Sequence, residues 1–421
     1  MVAVISIFGS ANSASAIWTI TNDPTGGDCT KIGTWKGTTC SIGVNLTTGI
    51  NITSNGITIN GSGHSVTGNG NGDGVIMIGV SQVTIRDLDV SKFEDCVYID
   101  NGANNQVTGS QLHLCTGTGI TMINQANVNQ VKNNEIHHND QWGVMINEAD
   151  SNVVDTNNIH DNGGGPGPGN GGVDVINSAK LNTMINNQIQ NNLGFGIEFS
   201  QSAKTNTADK NQISNPQASW GIRIDDSNEN LVIFNTISKE QRDGVLVQNG
   251  NTNKIICNDL SSHGQALGVE ISPGTGNQVI MNNFLETDDA DSTPPPGTNT
   301  FSYDKPIGGN YWDIYSPTCA TDDGMFCNKP HAFLGDQDNL PWIHKVPWQL
   351  HPDMCRKDGV LVQPPTKLPP PSELPPPSQL TSASGGISEL EVAVYFIIAI
   401  AVSTALAVFG ILHSRRASRA G

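Results

Sequence analysis

From Gly74 onward the chain sets apolar residues against polar ones in short bursts, and Gly and Asn separate the bursts at regular distances. One burst follows a Gly. It reads Gly119-Ile-Thr-Met, Gly143-Val-Met-Ile, Gly172-Val-Asp-Val, Gly196-Ile-Glu-Phe, Gly221-Ile-Arg-Ile, Gly244-Val-Leu-Val and Gly268-Val-Glu-Ile, with Gly74 opening the series and Cys96 in the Gly slot of Cys-Val-Tyr-Ile. The other burst reads Asn-x-Val-x-x-Asn-x-Ile. Its first Asn falls at 105, 129, 152, 182, 206, 230, 253 and 277, in steps of 24, 23, 30, 24, 24, 23 and 24. Alternation over so few positions predicts short strands. A fixed period predicts a stack of units that each touch only their neighbours. The period is too short for two helices and suits three strands and three turns, one coil of a parallel β-helix. Val131, Ile136, Val144 and Ile146 are predicted to point inward. The second Asn recurs at 134, 157, 187, 211, 235, 258 and 282, with Ser110 in the earliest slot. Stacked amides predict a coil-to-coil ladder, and Asn suits the left-handed turn conformation.

Composition fits a turn-rich solenoid: 46 Gly in 421 residues and 14% charged residues. A net charge of −18 argues against nucleic acid as a partner. Val392 to Leu412 carries no charge and has the length of one transmembrane α-helix. Glu389 and Glu391 precede it, and Arg415, Arg416 and Arg419 follow. The positive-inside rule therefore places the tail 413–421 in the cytoplasm and the body outside the cell membrane. Residues 1–16, with apolar Val2–Phe8 and Ala14-Ser15-Ala16, resemble a signal peptide that lacks its basic start; a buried first strand is the alternative. The body divides into a cap with the first coils (17–73), the repeats (74–290) and an end module (291–363). A Pro-rich linker (364–391) makes an extended spacer before the membrane. Eight Cys fit an oxidising exterior. Cys29/Cys40, Cys319/Cys327 and Cys96/Cys115 are candidate bridges. Cys257, read as inward within Ile255-Ile256-Cys257, and Cys355 stay unassigned.

Two stretches carry a family likeness. Gly56-Ile-Thr-Ile-Asn-Gly-Ser-Gly-His64 resembles the opening coil of NosD-like proteins. Gly308-Gly309-Asn310-Tyr311-Trp312-Asp313, with Asp336-Gln-Asp338-Asn339-Leu-Pro341-Trp342, resembles their end module. The resemblance covers about residues 40–345. It implies a right-handed parallel β-helix of about ten coils outside the cytoplasm. It also implies either carbohydrate binding and sugar hydrolysis or, as in the name-giving members, copper delivery. Where members often carry an acidic Asp-x-Asp-Gly run, this chain has Asp322-Asp323-Gly324 framed by Cys319 and Cys327, so a disulfide can replace a cation there.

Aligning the repeats exposes two chemical columns. His113, His137 and His160 occupy one outward slot on successive coils, with Glu135 two residues before His137 and His138 and Asp161 at the turn. Such a row can bind copper or zinc or move protons. The variable residue of the Gly motif reads Met145, Asp174, Glu198, Arg223, Leu246 and Glu270. Asp174 and Glu198 are then neighbours on adjacent coils and a candidate catalytic pair. Trp142 and Trp220, each before a motif Gly, and Arg223 are candidate substrate contacts. The insertion 163–171 opens just before Asp174. Three readings follow: a membrane-anchored protein whose β-helix binds or processes a polysaccharide by hydrolysis, elimination or epimerisation; a NosD-like copper protein; and a structural surface protein.

Overall fold

The computed structural model describes residues 17–165, 170–216, 220–261, 266–286, 288–293, 297–346, 348 and 355. The signal segment, linker, membrane span and tail expected from the sequence lie outside the described residues. Among those described, no helix is long and apolar enough to cross a membrane.

Three sheets wind around one apolar core. The first has twelve strands, from Trp18–Ile20 to Asp288–Ser292; the second has twelve, from Gly33–Lys36 to Gln278–Ile280; the third has eleven, from Ser65–Thr67 to Tyr311–Trp312. A repeat gives one strand to each sheet, for example Val144–Asn147, Val153–Asp155 and Asn158–His160. Each pairs in parallel with its counterpart one coil on, as Val144 does with Val173 and Ile159 with Ile189. One antiparallel hairpin, Gly33–Lys36 with Thr39–Ile42, closes the N-terminal end. The coils thus extend beyond the repeats into both flanking segments. Val131, Ile136, Val144 and Ile146 are fully buried, as alternation requires.

Every corner uses residues in the left-handed conformation. In one coil these are Glu148 and Ser151 at the first corner (φ 51° and 59°), Thr156 at the second (56°) and Asp161 at the third (56°). The ladder Asn is the residue after the turn, which differs from the expectation that Asn itself would adopt that conformation. Its side chain is buried instead. Asn157 accepts from the backbone N–H of Asn134 at 2.9 Å, and its Nδ2 donates to Val131 O at 2.9 Å and Asn187 Oδ1 at 3.0 Å. Parallel ladders run from Asn105 to Asn299 and from Ser110 to Asn310. A third, at the corner leading into the first sheet, links Asn139, Asn162, Asn192 and Asn215 and ends on Glu240.

The end module terminates the second ladder. Asp338 is fully buried, accepts Asn310 N–H at 2.7 Å and Trp312 Nε1–H at 2.9 Å, and leaves no room for a side chain at Gly309. Trp312 stacks on Phe284 at 4.1 Å. The disulfides Cys29–Cys40, Cys96–Cys115 and Cys319–Cys327 form as expected, and Cys257 joins Cys355. Cys257 is a left-handed corner residue (φ 57°) rather than part of the inward row. The C-terminal segment returns along this corner: Trp348 packs on Phe234, Val346 exchanges hydrogen bonds with Asn283, and Lys345 pairs with Asp259. In the Asp322-Asp323 loop, the Lys305 ammonium pairs with Asp323 and Asn328 donates to Asp322, so protein groups serve these carboxylates.

The ladders make two predictions. Asn187→Ala strips partners from Val154 O, Asn211 Oδ1 and the Asn157 amide, and should cost about 2–4 kcal/mol in denaturant titration, whereas exposed Lys204→Ala should stay within about 0.5 kcal/mol. Deleting the whole coil 206–229 should leave a shorter cooperative rod by circular dichroism, whereas deleting only 206–217 should abolish folding. Equal tolerance of the two deletions would contradict neighbour-only stacking.

Candidate acid–base site on the first sheet

Coil pairing brings Asp174 beside Glu198 and Glu198 beside Arg223 on three consecutive strands, Val173–Ile176, Phe195–Ser200 and Trp220–Asp225. The 30-residue step between Asn152 and Asn182 does not break this register: Met145 pairs with Asp174 and Asp174 with Glu198. Although their side chains leave the coil's core, both carboxyls are covered: Asp174 is 3% exposed and Glu198 7%. The repeat spacing places them together, as expected; their burial is what the structure adds.

Burial sets the electrostatics. It pushes the Asp174 carboxyl well above the usual range, and the neighbouring Glu198 charge adds to the rise; the Val175 N–H and Arg223 oppose it. Burial also pushes Glu198 up to about 7, even though the Arg223 guanidinium pulls the other way. That guanidinium is divided. It donates to Glu198 Oε1 at 2.8 Å, to Asp225 Oδ2 at 2.5 Å and to Gln248 Oε1 at 3.4 Å. Asp174 Oδ1 and Trp142 Nε1 are buried with no hydrogen-bond partner among the described residues. The first can accept and the second can donate.

The residues just before the motif Gly form a second column: Trp142, Gly171, Phe195, Trp220 and Asp243. Phe195 is buried; Trp142 and Trp220 are half-buried. A side chain at Gly171 would strike the Phe195 carbonyl oxygen, so this slot must stay empty between the aromatics. Arg223 and Arg242 both stack on Trp220, at 5.6 and 4.5 Å from its ring centre. Arg242 went unnoticed in the sequence because it lies outside the repeated positions. The acidic character also extends further than the sequence suggested. All described carboxyls with raised pKa except Asp338 lie on this sheet or the turn into it: Asp73 (to about 6), Asp95, Asp174, Glu198, Glu270 and Asp291.

On the third sheet the His row forms as the register requires. His113, His137 and His160 stack with ring centres 4.9 Å apart, 13° and 3° from parallel. Parallel rings aim their nitrogens side by side, so His113, His137, His160 and Glu135 do not converge on one point. His113 pairs with Asp89 at 2.9 Å. Burial, then the charges of His113 and His160, lower His137 to about 4. The groups whose ligand atoms do gather are His138, His160 and Asp161.

Fold and repeat together define a parallel β-helix protein. The family model for the right handed beta helix region matches residues 73–220. No curated sequence matches the chain. Solved structures with a similar course include the mannuronan C-5 epimerase AlgE6 A-module of Azotobacter vinelandii (13% identity, TM-score 0.47, covering 62% of this chain and 87% of that one). The catalytic unit of a GH87 alpha-1,3-glucanase from Streptomyces thermodiastaticus also resembles it (15%, 0.47, 72% and 70%), as does the Dettilon tailspike protein (13%, 0.48, 65% and 58%).

The raised Glu198 pKa predicts a pH-dependent stability. The folded protein holds this proton to about pH 7, while the unfolded chain releases it near 4.5. The stabilisation is complete below pH 4.5 and is lost as pH rises to 7, by roughly 3 kcal/mol. Glu198→Gln should remove that loss, so its melting temperature should gain on the wild type between pH 5 and 8. A difference that stays flat across this window would contradict the buried-acid assignment.

Proposed function

We propose that the outer face of the first sheet binds a polysaccharide strand and that Asp174 and Glu198 exchange protons with it. The observation that carries this is the buried, unpartnered Asp174 oxygen beside a carboxyl that titrates near neutrality. A carboxyl whose burial raises its pKa well above the usual range and a second poised near pH 7 are the two elements of acid–base catalysis on glycosidic or uronate chemistry. Arg223 is placed to neutralise a carboxylate or a developing oxyanion. The half-buried Trp142 and Trp220 supply flat apolar area for sugar rings, and Trp142 Nε1 supplies a donor for a hydroxyl. The repeated column runs along the solenoid axis, which suits an extended chain.

The body is taken to stand outside the cell, tethered through 392–412 with the tail inside. Four disulfides support an oxidising compartment. The NosD-like copper role would use the third sheet, not this face.

A panel of neutral and uronate polysaccharides tests the reading, with binding and product formation measured separately. Asp174→Asn with Glu198→Gln should abolish turnover and retain most of the binding, and Trp220→Ala should weaken binding at least tenfold. Binding with no turnover by the wild type would reduce the site to a carbohydrate-binding face. No binding across the panel would leave the structural surface protein as the reading.

A further inference from the structure

We propose that the corner after the third sheet holds one transition-metal dication, ligated by His138, His160 and Asp161. The site comes from the way this fold turns. His137 and His160 end successive strands of the third sheet and face out. His138 and Asp161 follow them in the left-handed conformation (φ 55° and 56°), immediately before the ladder residues Asn139 and Asn162. That turn sends two consecutive side chains to the same side, which a strand never does. Two coils therefore present a two-by-two array: His137 and His138 above, His160 and Asp161 below.

One ligand atom from each of His138, His160 and Asp161 lies within 4.8 Å of the others. Ligands around tetrahedral zinc at about 2.0–2.1 Å stand roughly 3.3 Å apart, so side-chain shifts of about an ångström, most of them at exposed His138, close the set. The hydrogen-bond inventory favours an ion. His160 sits between two acceptors, with Nδ1 2.7 Å from Asp161 Oδ2 and Nε2 3.5 Å from Glu135 Oε1. A neutral imidazole carries one N–H and serves only one of them. A metal in place of the Nδ1 proton bonds His160 and Asp161 together, while Glu135 keeps the Nε2–H and fixes the tautomer. His137 Nδ1 lies 2.8 Å from His138 Nδ1 and orients that second ring in the same way, leaving its Nε2 for the ion. Two imidazoles and one carboxylate select copper or zinc over calcium or magnesium. The site is separate from the carboxyl pair and does not depend on the glycan reading.

The test titrates the full chain with Cu(II) and with Zn(II) near neutral pH, alongside His138→Ala, Asp161→Asn and His113→Gln. His113 stacks in the row but lies outside the array. Expected is one site per chain, weakened at least tenfold by His138→Ala and by Asp161→Asn and unchanged within about threefold by His113→Gln. The Cu(II) electron paramagnetic resonance spectrum should show coupling to two imidazole nitrogens, falling to one in His138→Ala. Without added metal, the melting curve of the exposed His138→Ala should match the wild type. Equal affinity in all four proteins, equal loss in His113→Gln, or no binding of either metal overturns the assignment.

Discussion

The hydrogen bonds of the corner asparagines hold this molecule in shape. A coil of strands only three to six residues long cannot fix its own register, and its turns place non-Gly residues in a conformation that costs about a kcal/mol or more each. Each buried amide offsets that cost by bonding the coils on both sides of it, as Asn187 bonds the Asn157 amide, Val154 O and Asn211 Oδ1. With three such ladders at three corners, every residue is locked above its counterpart.

That locking creates the chemistry. Counterparts on neighbouring coils stand near 4.8 Å apart whatever their charge. Asp174 and Glu198 are therefore held together and covered, although separation in water would favour both carboxylates. The outcome is a pair of acids that resist ionisation, next to one arginine shared with Asp225. At a different corner the same register places His138 over Asp161 and stacks His137 on His160. One scaffold thus sets a buried carboxyl pair and a histidine–carboxylate cluster on separate sheets.

Much of this was legible in the sequence, because Gly and Asn mark each coil and make adjacency arithmetic. Asp174 beside Glu198, the His row and the Cys96–Cys115 bridge follow from counting repeats, and Cys29–Cys40 and Cys319–Cys327 from closeness in sequence. Their burial does not, since it depends on what lies over a sheet from outside. The ladder residues are legible, but not that each stands after the left-handed turn residue rather than in its place: in Asn133-Asn134, Asn186-Asn187 and Asn191-Asn192 both the turn residue and the buried residue are Asn, and composition cannot tell them apart. Cys257 was misread because Ile255-Ile256-Cys257 looks uniformly inward. Ile255 belongs to the core cluster, whereas Cys257 is covered from outside by the segment that carries Trp348 and Cys355. The third ladder left a signal in Asn139, Asn162 and Asn192, five residues after each second-motif Asn, which fades where Asn215 and Glu240 break the pattern.

The first sheet holds the protons of its buried carboxyls to pH values above the ordinary carboxylate range. Carbon-13 nuclear magnetic resonance of labelled Asp and Glu side chains, followed across pH and assigned with Asp174→Asn and Glu198→Gln, measures this directly. Asp174 should titrate well above the ordinary carboxylate range, and Glu198 with a midpoint near 7. Titration of both groups in the ordinary carboxylate range, near pH 4, would contradict it.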